Sequence, residues 1–262
     1  DMDLSGLGFT AVWHDSDVIL LTGSAGDDTI TGSSRADTVS GLAGDDTLIG
    51  GDGADDLDGG DGTDTAGYAG SDQAVDVNLA AGTGAGGHAQ GDALSGIENL
   101  TGSAHDDTLT GDAGANLLEG GDGNDSLEGA GGSDDLRGGA GIDIFYYRAG
   151  DAAAGETLDG GEGFDTVYAW SDTDFSALAD DWAVSVERWD MGENARIELR
   201  AGQDDLLNGA ELDGNILATT ETLAVTGPDI DLSGMGFGPA WHASDVLLLT
   251  GTAGQDTITG SS

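Results

Sequence analysis

The residues best suited to chemistry in this chain are acids that recur every nine residues. From Gly23, five rows read GSAGDDTIT, GSSRADTVS, GLAGDDTLI, GGDGADDLD and GGDGTDTAG. From Gly102, five more read GSAHDDTLT, GDAGANLLE, GGDGNDSLE, GAGGSDDLR and GGAGIDIFY. Single rows at Gly87, Gly160 and Gly251 read GHAQGDALS, GGEGFDTVY and GTAGQDTIT. The sixth places are Asp28, Asp37, Asp46, Asp55, Asp64, Asp92, Asp107, Asn116, Asp125, Asp134, Asp143, Asp165 and Asp256.

Short acidic side chains after glycine-rich turns are suited to a hard cation. Calcium takes about six to eight oxygen ligands from carboxylates and backbone carbonyls, on a backbone that can bend sharply. Glycines at the start of a row permit positive φ and let carbonyl groups approach without a Cβ atom in the way. The sixth-place side chains are therefore the candidate metal ligands.

Each row also carries an apolar residue two places after its acid. In a strand, residues two apart lie on the same face, so this eighth place predicts a short strand with one side chain in a core. The eighth places of the two five-row blocks are Ile30, Val39, Leu48, Leu57, Ala66, Leu109, Leu118, Leu127, Leu136 and Phe145.

The rows resemble the RTX (repeat-in-toxin) nonapeptide G-G-x-G-x-D-x-U-x, in which U is a large apolar residue. The resemblance implies an all-β fold of right-handed parallel β-rolls, here two five-row blocks with intervening and flanking non-repeat β structure. It also implies two rows per coil, with calcium between rows i and i+2 and about three ions per block. Type I secretion from a Gram-negative bacterium and an extracellular or cell-surface location follow from the same resemblance.

Some rows depart from this pattern, and we expect their sites to be weaker. Asn116 offers a neutral amide where other rows have a carboxylate. The second row, GSSRADTVS, lacks the internal glycine, and Ala66 makes a shallow core at the end of the first block.

The composition excludes several classes of partner. The 262 residues include 51 acidic and 6 basic residues, for a formal net charge of −45. Such a polyanion does not bind nucleic acid or an anionic membrane surface, and the chain has no apolar run long enough for membrane insertion. The absence of cysteine excludes disulfides and thiolate metal sites. Since charge of this size opposes compaction, cations must neutralise it.

A longer repeat encloses the rows. Residues 1–34 return with most positions identical at 229–262, which predicts a segment of a larger tandem array whose partners are neighbouring copies. The predicted segments are a capping or linker β segment (1–22), the first calcium roll (23–67), a connecting β segment (68–101), the second roll with its trailing row (102–168), a non-repeat β unit (169–228) and the start of the next copy (229–262).

The regions outside the rows are also predicted to be β structure. Val75, Val77 and Leu79 alternate at strand period in the connecting segment. In the non-repeat unit, WAVSVERWDMGENARIELRAG favours two paired strands around a turn at MGEN. Glu98, in GIENL, resembles a family linker whose apolar residues cap the following roll, and we interpret it as structural.

Histidines and extra acids offer other metal sites. His14 and His242, beside Trp13 and Trp241, could bind zinc, but the sequence favours a strand that packs its tryptophan on the open end of a roll. The acid pairs at 1–3 and 229–231 could form an additional calcium site.

No catalytic motif stands out. The chain has neither an HExxH run nor a GxSxG elbow. The sequence therefore favours a non-catalytic calcium-binding repeat of an adhesin, surface layer or filament, whose partner would be a homopolymer of the same repeat or a surface glycan. The alternatives are the C-terminal calcium module of a secreted protease or lipase, and a carbohydrate-binding module for a surface glycan, with Trp170, Trp182 and Trp189 as the stacking face.

Overall fold

The structure is a computed structural model that forms two compact units, Asp1–Leu127 and Glu128–Ser262. It describes residues 2–3, 19–179, 181–192, 196–200, 211–213, 222–226, 230–231, 236–237, 246–250 and 258–259.

Short strands separated by tight turns make up the first unit, because each row supplies one turn and one strand. The strands are β1 (Met2–Asp3), β2 (Ile19–Thr22), β3 (Thr29–Thr31), β4 (Asp37–Ala43), β5 (Thr47–Ile49), β6 (Asp56–Asp61), β7 (Thr65–Gly67), β8 (Asp76–Asn78), β9 (Thr83–Ala85), β10 (Ala93–Ser95), β11 (Asn99–Thr101), β12 (Thr108–Thr110), β13 (Leu117–Asp122) and β14 (Ser126–Glu128).

Alternate rows of the first unit enter different sheets. One sheet has the order β1-β3-β5-β7-β11-β13, and the other has β2-β4-β6-β10-β9-β8-β12-β14. In the first sheet Leu48 pairs in parallel with Ile30 on one side and Ala66 on the other. Two rows therefore complete one coil, and equivalent places two rows apart stack on each other.

The connecting segment interrupts this stacking with a hairpin. β8 and β9 pair antiparallel, with Asp76 opposite Ala85, and a single 3₁₀ turn, Gly87–Ala89, follows. β10 then returns to the roll, where Leu94 pairs in parallel with Leu57. The row at Gly87 thus stacks on the roll as a regular row does, although the hairpin precedes it.

The second unit is also built from parallel strands. These are β15 (Asp135–Gly141), β16 (Ile144–Tyr147), β17 (Thr157–Gly163), β18 (Thr166–Ala169), β19 (Thr173–Asp174), β20 (Ala183–Val184), β21 (Arg188–Met191), β22 (Arg196–Arg200), β23 (Glu211–Asp213), β24 (Thr222–Thr226), β25 (Ile230–Asp231), β26 (Gly236–Phe237), β27 (Val246–Thr250) and β28 (Ile258–Thr259). They are ordered β15-β17-β20, β16-β18-β21-β23-β26, β19-β22-β24-β27 and β25-β28.

The predicted hairpin around MGEN is wrong. β21 pairs in parallel with β18 and β23, and β22 pairs in parallel with β19 and β24. The two strands therefore enter different sheets. An apolar alternation on both sides of a turn is common to a hairpin and to a coil of a solenoid, and here the preceding coil supplies the partner.

The cores are narrow, and the predicted eighth-place residues lie within them. All ten of these side chains are at most 1% exposed. In the second unit, Phe175 stacks on Trp182, and Trp189 meets both rings edge-on. These observations confirm an all-β parallel solenoid. Within the described residues, no helix is long and apolar enough to cross a bilayer.

Candidate metal centre

The sixth-place aspartates form ladders that run across the coils. Asp46 and Asp64 are at most 1% exposed, and Asp28 is half-buried. The backbone N–H of Asp28 donates to Asp46 Oδ1 at 2.7 Å, and that of Asp46 donates to Asp64 Oδ1 at 2.7 Å. One carboxylate oxygen of each coil is thus occupied by the backbone of the coil before it.

The alternate rows form a second ladder with the same bonds. Asp37 N–H donates to Asp55 Oδ1 at 2.7 Å, and Asp55 N–H donates to Asp92 Oδ1 at 2.8 Å. Further along, Asp107 N–H donates to Asp125 Oδ1 at 2.8 Å. The row that follows the hairpin therefore continues the ladder.

The second unit repeats this arrangement. Asp143 N–H donates to Asp165 Oδ1 at 2.9 Å. Asp134, Asp143 and Asp165 are all buried. Of the other predicted ligands, Asp256 lies outside the described residues, as do His14, His242 and the side chains of the acid pairs at 1–3 and 229–231.

The second carboxylate oxygen of several ladder residues faces the glycine of its own row. Within the described residues, Oδ2 of Asp46, Asp55, Asp64 and Asp165 is buried and accepts no hydrogen bond. Buried polar atoms normally have partners, so these oxygens indicate a missing electropositive group.

Backbone carbonyls lie beside these oxygens. A Cβ atom on Gly41 would lie 2.2 Å from Asp46 Oδ2 and 2.7 Å from the carbonyl oxygen of Gly59, in the next coil. Glycine is therefore required at this place, because any side chain would fill the space between the two oxygens. Carboxylate and carbonyl oxygens from successive coils are the donors that calcium prefers, so these residues fit that ion.

The donor set explains why carboxylates do not cluster here. No group of three or more His, Cys, Asp or Glu side chains is placed to hold a metal in the described part of the chain. Each row contributes only one ladder carboxylate, and the remaining oxygens come from the backbone.

At four of the ladder acids, burial disfavours the charged form when no cation is bound. It raises the pKa of Asp55 to about 8, with the negative charges of Asp92 and Asp37 adding to the effect. It also raises the pKa of Asp92 to about 6. The pKa values of Asp64 and Asp165 are raised too, chiefly by burial and further by neighbouring carboxylates. A bound cation would instead favour the charged form of these carboxylates and lower their pKa values.

Rows with serine in the second place differ in the hydrogen bonds that their aspartate accepts. Ser33 donates its N–H to Asp37 Oδ2 at 2.6 Å and its hydroxyl to the same oxygen at 3.0 Å. Ser103 N–H donates to Asp107 Oδ2 at 2.5 Å. In these rows the row's own backbone occupies Oδ2. A hydrogen bond from Ser24 N–H likewise lowers the pKa of Asp28.

Asn116 is held differently from the aspartates. Its Oδ1 accepts the N–H of Asp112 at 2.8 Å, and its Nδ2 donates to the carbonyl oxygen of Glu98 at 2.8 Å. Both the oxygen and the nitrogen of this amide are therefore hydrogen-bonded within the protein.

Three glutamates occupy ladder places that the nine-residue pattern did not identify. Glu98 Oε2 accepts Asp64 N–H at 2.9 Å, and Glu187 Oε2 accepts Asp165 N–H at 2.8 Å. Glu156 precedes β17, is buried, and is hydrogen-bonded to the backbone of Asp134. Each follows a segment whose length is not nine residues, so counting rows could not find them.

At two ladder places a tyrosine hydroxyl donates to the acid, and at Glu156 the other oxygen, Oε2, is buried and accepts no hydrogen bond in the described residues. Tyr68 donates to Asp92 Oδ2 at 3.1 Å, and Tyr147 donates to Glu156 Oε1 at 2.7 Å. Burial raises the pKa of Glu156 to about 8. Both tyrosines are buried at the point where the chain leaves a regular row.

The proposed tryptophan stacking face does not form. Trp182 and Trp189 are at most 1% exposed and belong to the core, whereas Trp170 is 55% exposed. Two of the three rings are therefore inaccessible to a sugar.

The match to a known family agrees with this geometry. The RTX calcium-binding nonapeptide repeat (4 copies) matches residues 20–34, 31–66, 92–127, 110–145, 153–176 and 248–262, which together make up more than half of the chain. The chain belongs to this family of calcium-binding repeats. No curated protein matches it.

Proposed function

We propose that this chain is a non-catalytic, calcium-binding structural repeat of a secreted or cell-surface bacterial protein, which folds and stiffens when it meets extracellular calcium. The observation that supports this is the buried Oδ2 of Asp46, which accepts no hydrogen bond in the described residues and borders the same space beside Gly41 as the carbonyl oxygen of Gly59 in the next coil.

The ladder makes the fold depend on the ion. Carboxylates on neighbouring strands lie about 5 Å apart, and at an effective dielectric constant of about 20 each pair repels by about 3 kcal/mol. The core is only one side chain deep, and its rows are rich in glycine, which loses much entropy on folding. A cation between coils turns the repulsion into attraction, so its binding energy becomes folding energy.

The long repeat supports a role in an extended assembly. Residues 1–34 and 229–262 are near-copies, and parallel coils let one copy stack on the next. Adhesins, surface layers and filaments need such stiff spacers. Affinities near 10⁻⁴–10⁻³ M, about those of extracellular calcium modules, would keep the chain unfolded before export and folded outside.

The test is a calcium titration of the chelator-treated full chain, followed by far-UV circular dichroism with magnesium as the control. We expect a cooperative gain of β signal with calcium alone, because magnesium demands octahedral geometry and keeps its waters. A β spectrum that is complete in chelator, or equal responses to both ions, would contradict the proposal.

A further inference from the structure

The segment Gly96–Leu100 closes against the preceding coil in an unusual way. It begins with Gly96 at a φ of 59°. The N–H groups of Glu98 and Asn99 both donate to the carbonyl oxygen of Asp64, at 3.1 and 2.9 Å. The Glu98 carboxylate accepts the N–H of Asp64 at 2.9 Å. Backbone and side chain together therefore fix Glu98 onto the ladder.

The segment Ser185–Trp189, in the second unit, has the same local structure. Ser185 has a φ of 55°, although it is not glycine. The N–H groups of Glu187 and Arg188 donate to the carbonyl oxygen of Asp165, at 3.1 and 3.0 Å. The Glu187 carboxylate accepts the N–H of Asp165 at 2.8 Å. The recurrence in a different sequence context indicates a defined structural device.

Two oxygens lie close to Gly59, in the row of Asp64, whose N–H the Glu98 carboxylate accepts. A Cβ atom on Gly59 would lie 2.0 Å from the carbonyl oxygen of Gly96 and 2.6 Å from Asp64 Oδ2. Asp64 is fully buried, and its Oδ2 accepts no hydrogen bond within the described residues. Glu98 also lines a small cavity together with Gly96 and Asp112.

Two equivalent oxygens lie close to Gly160, in the row of Asp165, whose N–H the Glu187 carboxylate accepts. A Cβ atom on Gly160 would lie 2.0 Å from the carbonyl oxygen of Ser185 and 2.6 Å from Asp165 Oδ2. Asp165 is fully buried, and its Oδ2 accepts no hydrogen bond in the part of the chain that the structure describes. The two places thus share a buried open carboxylate oxygen, a backbone carbonyl and a glutamate.

We infer that Glu98 and Glu187 are calcium ligands that complete the last site of a run of rows, in place of the usual aspartate. This rests on the proposed function, since it assigns further ligands to the same kind of site. In a full row the glycine carbonyl and the acid are separated by a complete turn, as from Gly41 to Asp46, whereas Gly96 lies only two residues before Glu98. The longer glutamate arm makes up for the shortened turn.

The test compares E98Q, E187Q and the double variant with the parent full chain by calorimetric calcium titration. Glutamine keeps an oxygen that can accept the aspartate N–H, so a purely structural role predicts no change in calcium binding. A ligand role predicts that each substitution removes one ion or weakens one class of site by roughly tenfold, and that the double variant shows both losses. E162Q, at an exposed glutamate of β17, is the matched control and should bind as the parent does.

The outcomes separate this inference from the proposed function. A parent chain that binds no calcium overturns both. A parent that binds calcium beside a double variant with unchanged ion number and affinity overturns only the role of the glutamates. If a glutamine variant fails to fold, E98D and E187D serve instead. They retain the charge but shorten the arm, and they too should lose one ion each.

Discussion

At the scale of single residues, the residue in the second place of a row determines which carboxylate oxygen of its aspartate is already hydrogen-bonded. Ser33 turns its N–H and hydroxyl onto Asp37 Oδ2. In the row of Asp46 the second place is Leu42, at a φ of 83°, and Asp46 Oδ2 accepts no hydrogen bond in the described residues. Asp37 Oδ1 is also buried and accepts no hydrogen bond in the described residues, so the two acids differ in which oxygen is open although the sequence gives both the same place.

This difference predicts unequal effects of the same substitution. Asp46→Asn should remove a charged ligand from an open site and weaken calcium binding by roughly tenfold, at a cost of about 1.4 kcal/mol. Asp37→Asn should have a smaller effect, because the oxygen that faces the glycine carbonyl is already hydrogen-bonded. Calorimetric titration of both variants tests this, with the exposed Asp72→Asn as control. Equal losses at Asp46 and Asp37 would show that the second place does not matter.

Tyr68 is predicted to stabilise the ladder without any ion. Its hydroxyl is the donor to Asp92 Oδ2, so Tyr68→Phe leaves a buried carboxylate oxygen without that partner. We expect a loss of about 1–3 kcal/mol in the free energy of unfolding, measured by denaturant titration in saturating calcium. Tyr146→Phe, at a half-exposed ring, should change stability by less than about 0.5 kcal/mol. A neutral Tyr68→Phe would mean that water or calcium takes over the contact.

The ladder aspartates were predictable from the sequence, but the ladder glutamates were not. The predicted acids lie at a constant spacing, and the described ones are brought into register by stacking of equal rows. Glu98, Glu156 and Glu187 follow segments of other lengths, so only the return of the chain to the coil places them. Sequence reasoning interpreted Glu98 as structural and did not identify the other two.

At the scale of the turn and strand, the first glycine of a row keeps the space between two coils open. Gly41→Ala would place a Cβ atom 2.2 Å from Asp46 Oδ2 and 2.7 Å from the Gly59 carbonyl oxygen. We expect weaker calcium binding and a lower melting temperature in calcium. Both are measurable by circular dichroism at fixed ion concentration.

The matched control for this prediction is Gly26→Ala. A Cβ atom on Gly26 would meet nothing within 4 Å, so this change should be neutral or stabilise by about 0.4–1 kcal/mol through the unfolded state. If both alanine variants behave alike, the space beside Gly41 has no role in binding.

Strand positions were easier to predict than strand partners. Val75 and Val77 alternate in the sequence, and both are buried beside and within β8. The same logic failed for β21 and β22, which were expected to pair with each other. Local patterns determine which face of a strand is apolar, but the partner of a strand is determined by the coil already formed.

At the scale of the whole molecule, repulsion among the acidic residues opposes folding, whereas burial of the apolar core favours it. A net charge of −45 accompanies cores that are one side chain deep. Repeats and composition predicted both features, including the buried eighth places. They could not predict which carboxylates are left open, because that depends on the φ angle of a neighbouring residue and on which coil lies next to it.

The last prediction concerns pH in the absence of calcium. The folded-state pKa of Asp55 is raised to about 8 and that of Asp92 to about 6, above the value of about 3.9 for an unfolded aspartate. The folded state therefore holds these protons more tightly than the unfolded state. Their stabilising effect is complete below about pH 4 and is lost as the pH rises toward about 8.

In chelator, the chain should hold more β structure at about pH 5 than at about pH 8. Calcium should reverse this order, because it binds only the deprotonated ligands. Asp55→Asn should weaken the pH dependence of the β content in chelator. A sodium chloride series distinguishes this effect from general screening of charge. A calcium-free chain whose β content rises with pH would show that burial of the ladder acids does not limit folding.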